Sequence, residues 1–90
     1  MPIQVVDLKK ACPATQQMVL PANPGRVYAL MVNDGGADIY LGMGIPAVVN
    51  RGIRLNSAGG NYEINLTNPW QGEIYAVGDA TSPSLLITEW

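Results

Sequence analysis

The stretch NYEINLTNPWQGEIYAVG, residues 61–78, decides how this chain is read. Tyr62, Ile64 and Leu66 alternate with Glu63 and Asn65, the period of two that sends apolar side chains to one face of a strand. Asn68-Pro69 and Gly72 then break the run, and Glu73-Ile74-Tyr75-Ala76-Val77-Gly78 resumes it. Two strands joined by a turn follow from this pattern, with a tryptophan, Trp70, inside the turn. An indole placed there has three readings. It folds over the open end of a core with its N–H on a loop carbonyl, it contacts a partner, or it stacks on a ligand.

Working outward, the same grammar fills the chain. Ten glycines and seven prolines separate short runs rich in Val, Ile, Leu and Tyr, at the spacing of an all-β sandwich or barrel. The predicted strands span 3–8, 15–20, 26–33, 37–43, 52–56, 61–67, 73–78 and 84–90. No segment carries a sustained helical stripe with caps, so no helix beyond a single turn is expected. Ile53 and Leu55 flank an outward Arg54. The runs 26–33 and 84–90 are apolar on both faces, which marks a central strand or one covered by a neighbouring subunit. Asn33-Asp34-Gly35-Gly36 and Ala58-Gly59-Gly60-Asn61 are residues that tolerate positive φ, and they read as hairpin turns. DIYLGMG (38–44) and EIYAVGD (73–79) look alike, as two strands under similar demands would.

Composition limits function. Ninety residues make one domain with a small core. Only 13% of residues are charged, against about 25% in an average soluble domain, so part of the surface is expected to be covered by another copy or a partner. The net charge is −2, and Lys9-Lys10 is the longest basic run. Nucleic-acid binding, which requires several phosphates to be neutralised, is not expected. No apolar run reaches the roughly 20 residues that span a bilayer, and the start, MPIQVVDLKK, has no secretory pattern. Cys12 is the single cysteine, so no disulfide forms within the chain, and it reads as a small apolar filler.

The search for a catalytic or metal centre returns little. With no histidine, the usual general base, the Ser-His and Cys-His pairs and the commonest metal ligand are missing. Seven carboxylates (Asp7, Asp34, Asp38, Glu63, Glu73, Asp79 and Glu89) show no marked pair. Asn33, Asp34 and Asp38 do not follow a calcium loop and read as turn residues. Gly42-Met43-Gly44 lacks the following helix that a phosphate cradle needs, and reads as a bend that ends a strand. Tyr40 and Tyr75 are the two tyrosines with a possible role as a sugar platform. No cofactor, metal or enzymatic activity is expected.

The tract 20–90 resembles small β-sandwich virion proteins of tailed bacteriophages, which are capsid decoration (cement) proteins or head-fibre domains. The likeness rests on the order of LPANPGRVYALMVND (20–34), ADIYLGMG (37–44), GIRLN with its Gly-Gly turn (52–60), YEINLTNPWQGEIYAVG (62–78) and LLITEW (85–90). The resemblance implies a sandwich that forms a homo-oligomer, often a trimer, and binds the major capsid protein. It implies a place on the capsid surface of the virion, after synthesis in the host cytoplasm, and no active site. Residues 1–19 lie outside it and read as an N-terminal arm or added strand that docks by β-augmentation. Ile3, Val5 and Val6 are its apolar contacts. Trp90, ending a strand, is the other expected contact, and Trp70 is expected to be a structural cap. The expected fold is therefore a single antiparallel β-sandwich of about eight strands, jelly-roll-like or Ig-like. The expected function is decoration and reinforcement of a phage capsid, with a receptor- or glycan-binding domain of a fibre or tail appendage as the alternative.

Overall fold

A computed structural model describes residues 6–12, 14–78 and 83–89. Among the described residues there are eight strands and no helix: β1 (Val6–Ala11), β2 (Gln17–Leu20), β3 (Ala29–Asn33), β4 (Ile39–Met43), β5 (Ile53–Leu55), β6 (Asn61–Ile64), β7 (Ile74–Gly78) and β8 (Ser84–Glu89). They form two antiparallel four-stranded sheets, ordered β1-β8-β3-β6 and β2-β7-β4-β5. The strands pair as β1 with β8, β2 with β7, β3 with β6 and β4 with β5. The chain is thus one long hairpin, closed at residues 44–52 and rolled up. The pairs β3·β8 and β4·β7 stitch successive turns of the roll into sheets. This nesting is the jelly-roll arrangement and excludes the Ig-like one. Residues 6–20 supply one strand to each sheet, and β1 is an edge strand.

The hairpin turns expected at 33–36 and 58–61 are not hairpins. β3 and β4 lie in different sheets, as do β5 and β6, so both segments arch across the sandwich. The residue types suit an arch as well as a hairpin, and only the pairing distinguishes them. Ala58 and Gly59 do take positive φ, at 58° and 118°. Gly35 is needed for space, because a Cβ there would come within 2.3 Å of Pro83 Cβ.

The core lies between the sheets, and the alternation along β8 shows how it is filled. Leu85, Ile87 and Glu89 point inward, while Ser84, Leu86 and Thr88 point outward. Ala29, Met31 and Asn33 on β3 face the same interior. Leu20, Ile39, Leu41, Leu55, Ile64 and Ile74 complete it. The two doubly apolar runs are the adjacent central strands β8 and β3, and Leu30, Val32 and Leu86 form a half-buried stripe on their outer face. The two similar runs, β4 and β7, are also direct neighbours. Tyr62 is half-buried and Ile64 buried as expected. Leu66 is not inward, because β6 ends at Ile64 and the chain turns at 65–68.

Each end of the sandwich is pinned by a buried polar side chain. At one end Asn33 donates from Nδ2 to the carbonyls of Ala37 (2.7 Å) and Leu55 (2.9 Å), and its Oδ1 accepts from Gly35 N. At the other end Arg26 is 2% exposed. Its Nε donates to Glu89 Oε2 at 2.6 Å, and its terminal nitrogens donate to the carbonyls of Pro21 (2.8 Å), Trp70 (3.0 Å) and Gly72 (3.0 Å). Among the described residues this is the only ion pair. One guanidinium therefore joins the β2–β3 loop, the β6–β7 loop and the end of β8.

Truncating one partner of a buried pair leaves the other charge without compensation, at a cost of about 3–5 kcal/mol. Arg26→Ala is expected to lose that much in a denaturant melt. Adding Glu89→Gln should recover only part of the loss, because three carbonyls still lack their donor.

Candidate interaction surface

Loops 21–28, 44–52 and 65–73 gather at the end that Arg26 pins. Residues 14–16 and loops 34–38 and 56–60 gather at the opposite end. The two ends differ in chemistry. Val27, Ile45, Val48, Val49 and Leu66 are exposed, large and apolar, and all lie in the first set of loops. Among the described residues the second set has no exposed large apolar side chain.

The 44–52 loop closes the rolled hairpin and folds back over the outer face of β4 and β7. Ala47 packs there with Tyr40, Val77 and Tyr75. This approach depends on Gly42, where a Cβ would lie 2.3 Å from the Ile45 carbonyl oxygen. The loop turns through left-handed positions at Gly44 (φ 74°), Asn50 (φ 67°) and Gly52 (φ 73°), conformations that glycine adopts freely and asparagine tolerates. Tyr40 OH donates to Asn50 Oδ1 at 3.1 Å, which holds the non-glycine position in place. Tyr40 is 6% exposed beneath this cover, so the two tyrosines do not form an open stacking platform. Beside the loop runs a cleft in two adjoining parts. One, of about 250 Å³, is lined by Leu41, Ile45, Pro46 and Val48, and the other, of about 220 Å³, by Tyr40, Asn50 and Arg54. Arg51 and Gly52 line both.

Trp70 sits at this same end. Its indole is half-buried and packs against the core cluster. A Cβ at Gly72 would lie 2.6 Å from the ring and one at Gly44 2.9 Å. Its Nε1 donates to the Glu73 carbonyl at 3.1 Å, and Gly44 N donates to that same oxygen at 2.9 Å. The end of β4 and the start of β7 are thereby tied together under the ring. Of the other expected contacts, Ile3, Val5 and Trp90 lie outside the described residues, and Val6 opens β1 opposite Glu89.

Among the described residues no group of three or more His, Cys, Asp or Glu side chains comes together. Cys12 is buried, and that burial pushes its thiol up to about 11, the Lys10 charge pulling weakly the other way. The nucleophile is the thiolate, so this thiol is inert at neutral pH. The Tyr28 phenol is held above its ordinary value, chiefly by the 2.6 Å hydrogen bond it donates to Glu63. Sequence reading missed Arg26, because a lone arginine at the start of an apolar run looks like a solvated strand end. It also missed Leu66, whose alternation with Tyr62 and Ile64 placed it inward. Comparison with protein-family models, curated proteins and solved structures finds no match to this chain.

Two outcomes are expected. Trp70→Ala removes a packed indole at a site held open by its loops, and should lower stability by about 3 kcal/mol in a denaturant melt. An unchanged midpoint would take Trp70 out of the core. The second outcome concerns pH. The unfolded thiol ionises near pH 8.5, while the folded one stays protonated until about 11. The unfolded state then binds fewer protons, so stability falls as pH rises through that interval. The denaturant midpoint should drop between pH 8 and pH 10.5, and drop less in Cys12→Ala.

Proposed function

We propose that this protein is a non-enzymatic structural component of a tailed-phage virion. It decorates the capsid, binds the major capsid protein as a homo-oligomer, with a trimer favoured, and stabilises the shell. The observation that carries this reading is the polarity of the sandwich. The loops at one end expose Val27, Ile45, Val48, Val49 and Leu66, and those described at the other end expose no large apolar side chain. A domain with so few charges and an apolar end is suited to being held against another protein surface. The resemblance over residues 20–90 supplies the class of surface.

The mechanism needs no chemistry. Apolar loops laid across a seam between capsomers remove area from water at roughly 25 cal/mol per Å². A standard interface buries about 800 Å² on each partner. That area must be exposed again before the capsomers separate, so bound copies raise the resistance of the shell to heat and internal pressure. The Arg26 and Trp70 contacts hold the loops in shape before docking, so less entropy is lost on binding. A receptor- or glycan-binding domain of a fibre or tail appendage is the second reading. The polar half of the cleft, with Tyr40, Asn50, Arg51 and Arg54, is the feature that favours it.

Purified protein mixed with expanded empty shells of the phage that encodes it should cosediment to saturation, and raise the shells' melting temperature. Val27→Asp should weaken that binding at least tenfold while leaving the protein's own melt unchanged, since Val27 is 46% exposed and lies outside the cleft beside the 44–52 loop. Absence of shell binding together with saturable binding to host-surface glycans would replace this reading with the second.

A further inference from the structure

Leu66 is 82% exposed, the most exposed large apolar side chain among the described residues. It is also held firmly. Asn65 Oδ1 accepts from Thr67 N (2.9 Å), Thr67 Oγ1 (2.8 Å) and Asn68 N (3.0 Å). Asn68 Nδ2 in turn donates to Tyr62 OH (2.9 Å) and to the Glu63 carbonyl (3.0 Å). This network fixes a tight turn whose tip is a bare isobutyl group. On the strand leading to it, Glu63 presents an exposed carboxylate, oriented by Asn65 Nδ2 at 3.0 Å and Tyr28 OH at 2.6 Å. The tip thus offers an apolar knob with a positioned negative charge behind it.

The cleft beside the 44–52 loop has the complementary order. Leu41, Ile45, Pro46 and Val48 line its more apolar half, Arg54 lines the other, and Arg51 borders both. The chain has five Lys and Arg side chains in all. Arg26 is paired internally, whereas Arg51 and Arg54 are exposed. Among the described residues neither guanidinium has an ion-pair partner. Both arginines left unpaired in a net-negative chain therefore border one cleft.

We propose that this cleft receives the β6–β7 tip of a second copy of the same chain. Leu66 enters the apolar half and Glu63 faces Arg51 and Arg54. The proposal deepens the homo-oligomer part of the reading above and rests on that part alone. The occupant is chosen by charge complementarity and by the match of an apolar tip to an apolar recess. Tip and cleft are different patches, so the contact is heterologous, and successive copies close into a ring when the rotation permits.

Complementation between two defective copies tests this directly. Wild type should sediment as an oligomer heavier than the 9.6 kDa chain without any shell present. Leu66→Asp, which spoils the tip, and Val48→Asp, which spoils the cleft, should each weaken association at least tenfold. Both side chains are exposed, at 82% and 49%, so the variants' own melts should match that of a wild-type monomer. An equimolar mixture should give a 1:1 dimer that grows no further, because one sound tip meets one sound cleft. Glu63→Arg combined with Arg51→Glu and Arg54→Glu should restore association that Glu63→Arg alone weakens. A monomeric wild type at high micromolar concentration, an oligomer that survives Leu66→Asp, or a mixture that stays monomeric would each overturn the proposal. A ring that forms but ignores shells leaves this inference standing and removes the capsid reading. Shell binding by a protein that stays monomeric does the reverse.

Discussion

Everything at the apolar end of this sandwich depends on one buried guanidinium. Arg26 reaches from the loop before β3 to the carboxylate of Glu89 on β8 and to three backbone carbonyls in two loops. A buried charge is tolerated only when it is paired and its donors are satisfied. The planar fork of arginine meets both demands at once, where a lysine ammonium would meet them poorly. The arrangement fixes the loops that carry Val27, Leu66 and Trp70 relative to the strands. A chain of this size has a small core. Holding long loops by hydrogen bonds from one centre orders them without a larger apolar interior.

The roll of the hairpin sets the remaining constraints. Consecutive strands fall in different sheets everywhere except β4 and β5, so every other connection crosses the sandwich. These crossings leave backbone groups at both ends that need partners. Asn33 supplies them at one end and Arg26 at the other, and both sit next to or near the ends of β3. The single in-sheet connection, 44–52, is free to fold over the sheet, and Gly42 gives it room to do so. That fold creates the cleft, buries Tyr40 and leaves Ile45 and Val48 facing water.

The result is a frame tied at both ends by buried polar side chains, with exposed apolar side chains gathered on the loops at one end. Arg51 and Arg54, which have no ion-pair partner among the described residues, border the cleft beside the 44–52 loop. The Cys12 thiol is buried and protonated at neutral pH, and the buried polar side chains Arg26, Asn33 and Glu89 are taken up by contacts within the fold.

Sequence alone determined the strands. Period-two alternation, β-branched residues and Gly/Pro punctuation are local properties, and they placed seven strands on the observed ones, overrunning at 26–28 and 65–67, whereas the first, expected at 3–8, is described at Val6–Ala11. The inward and outward faces of 52–56 and most of 61–67 were legible for the same reason, as was the double apolarity of 26–33 and 84–90, which proved to be adjacent central strands. What only the tertiary structure decided was pairing. Asn33-Asp34-Gly35-Gly36 suits a hairpin and an arch equally, and the choice depends on which sheet the next strand joins. Leu66 kept its alternation in sequence but lost it in space, because Asn65 captured the following amides and turned the chain. Arg26 became the central pin only when Glu89, distant in sequence, was brought beside it. A partner for a buried charge is a fact of three dimensions, and no local pattern records it.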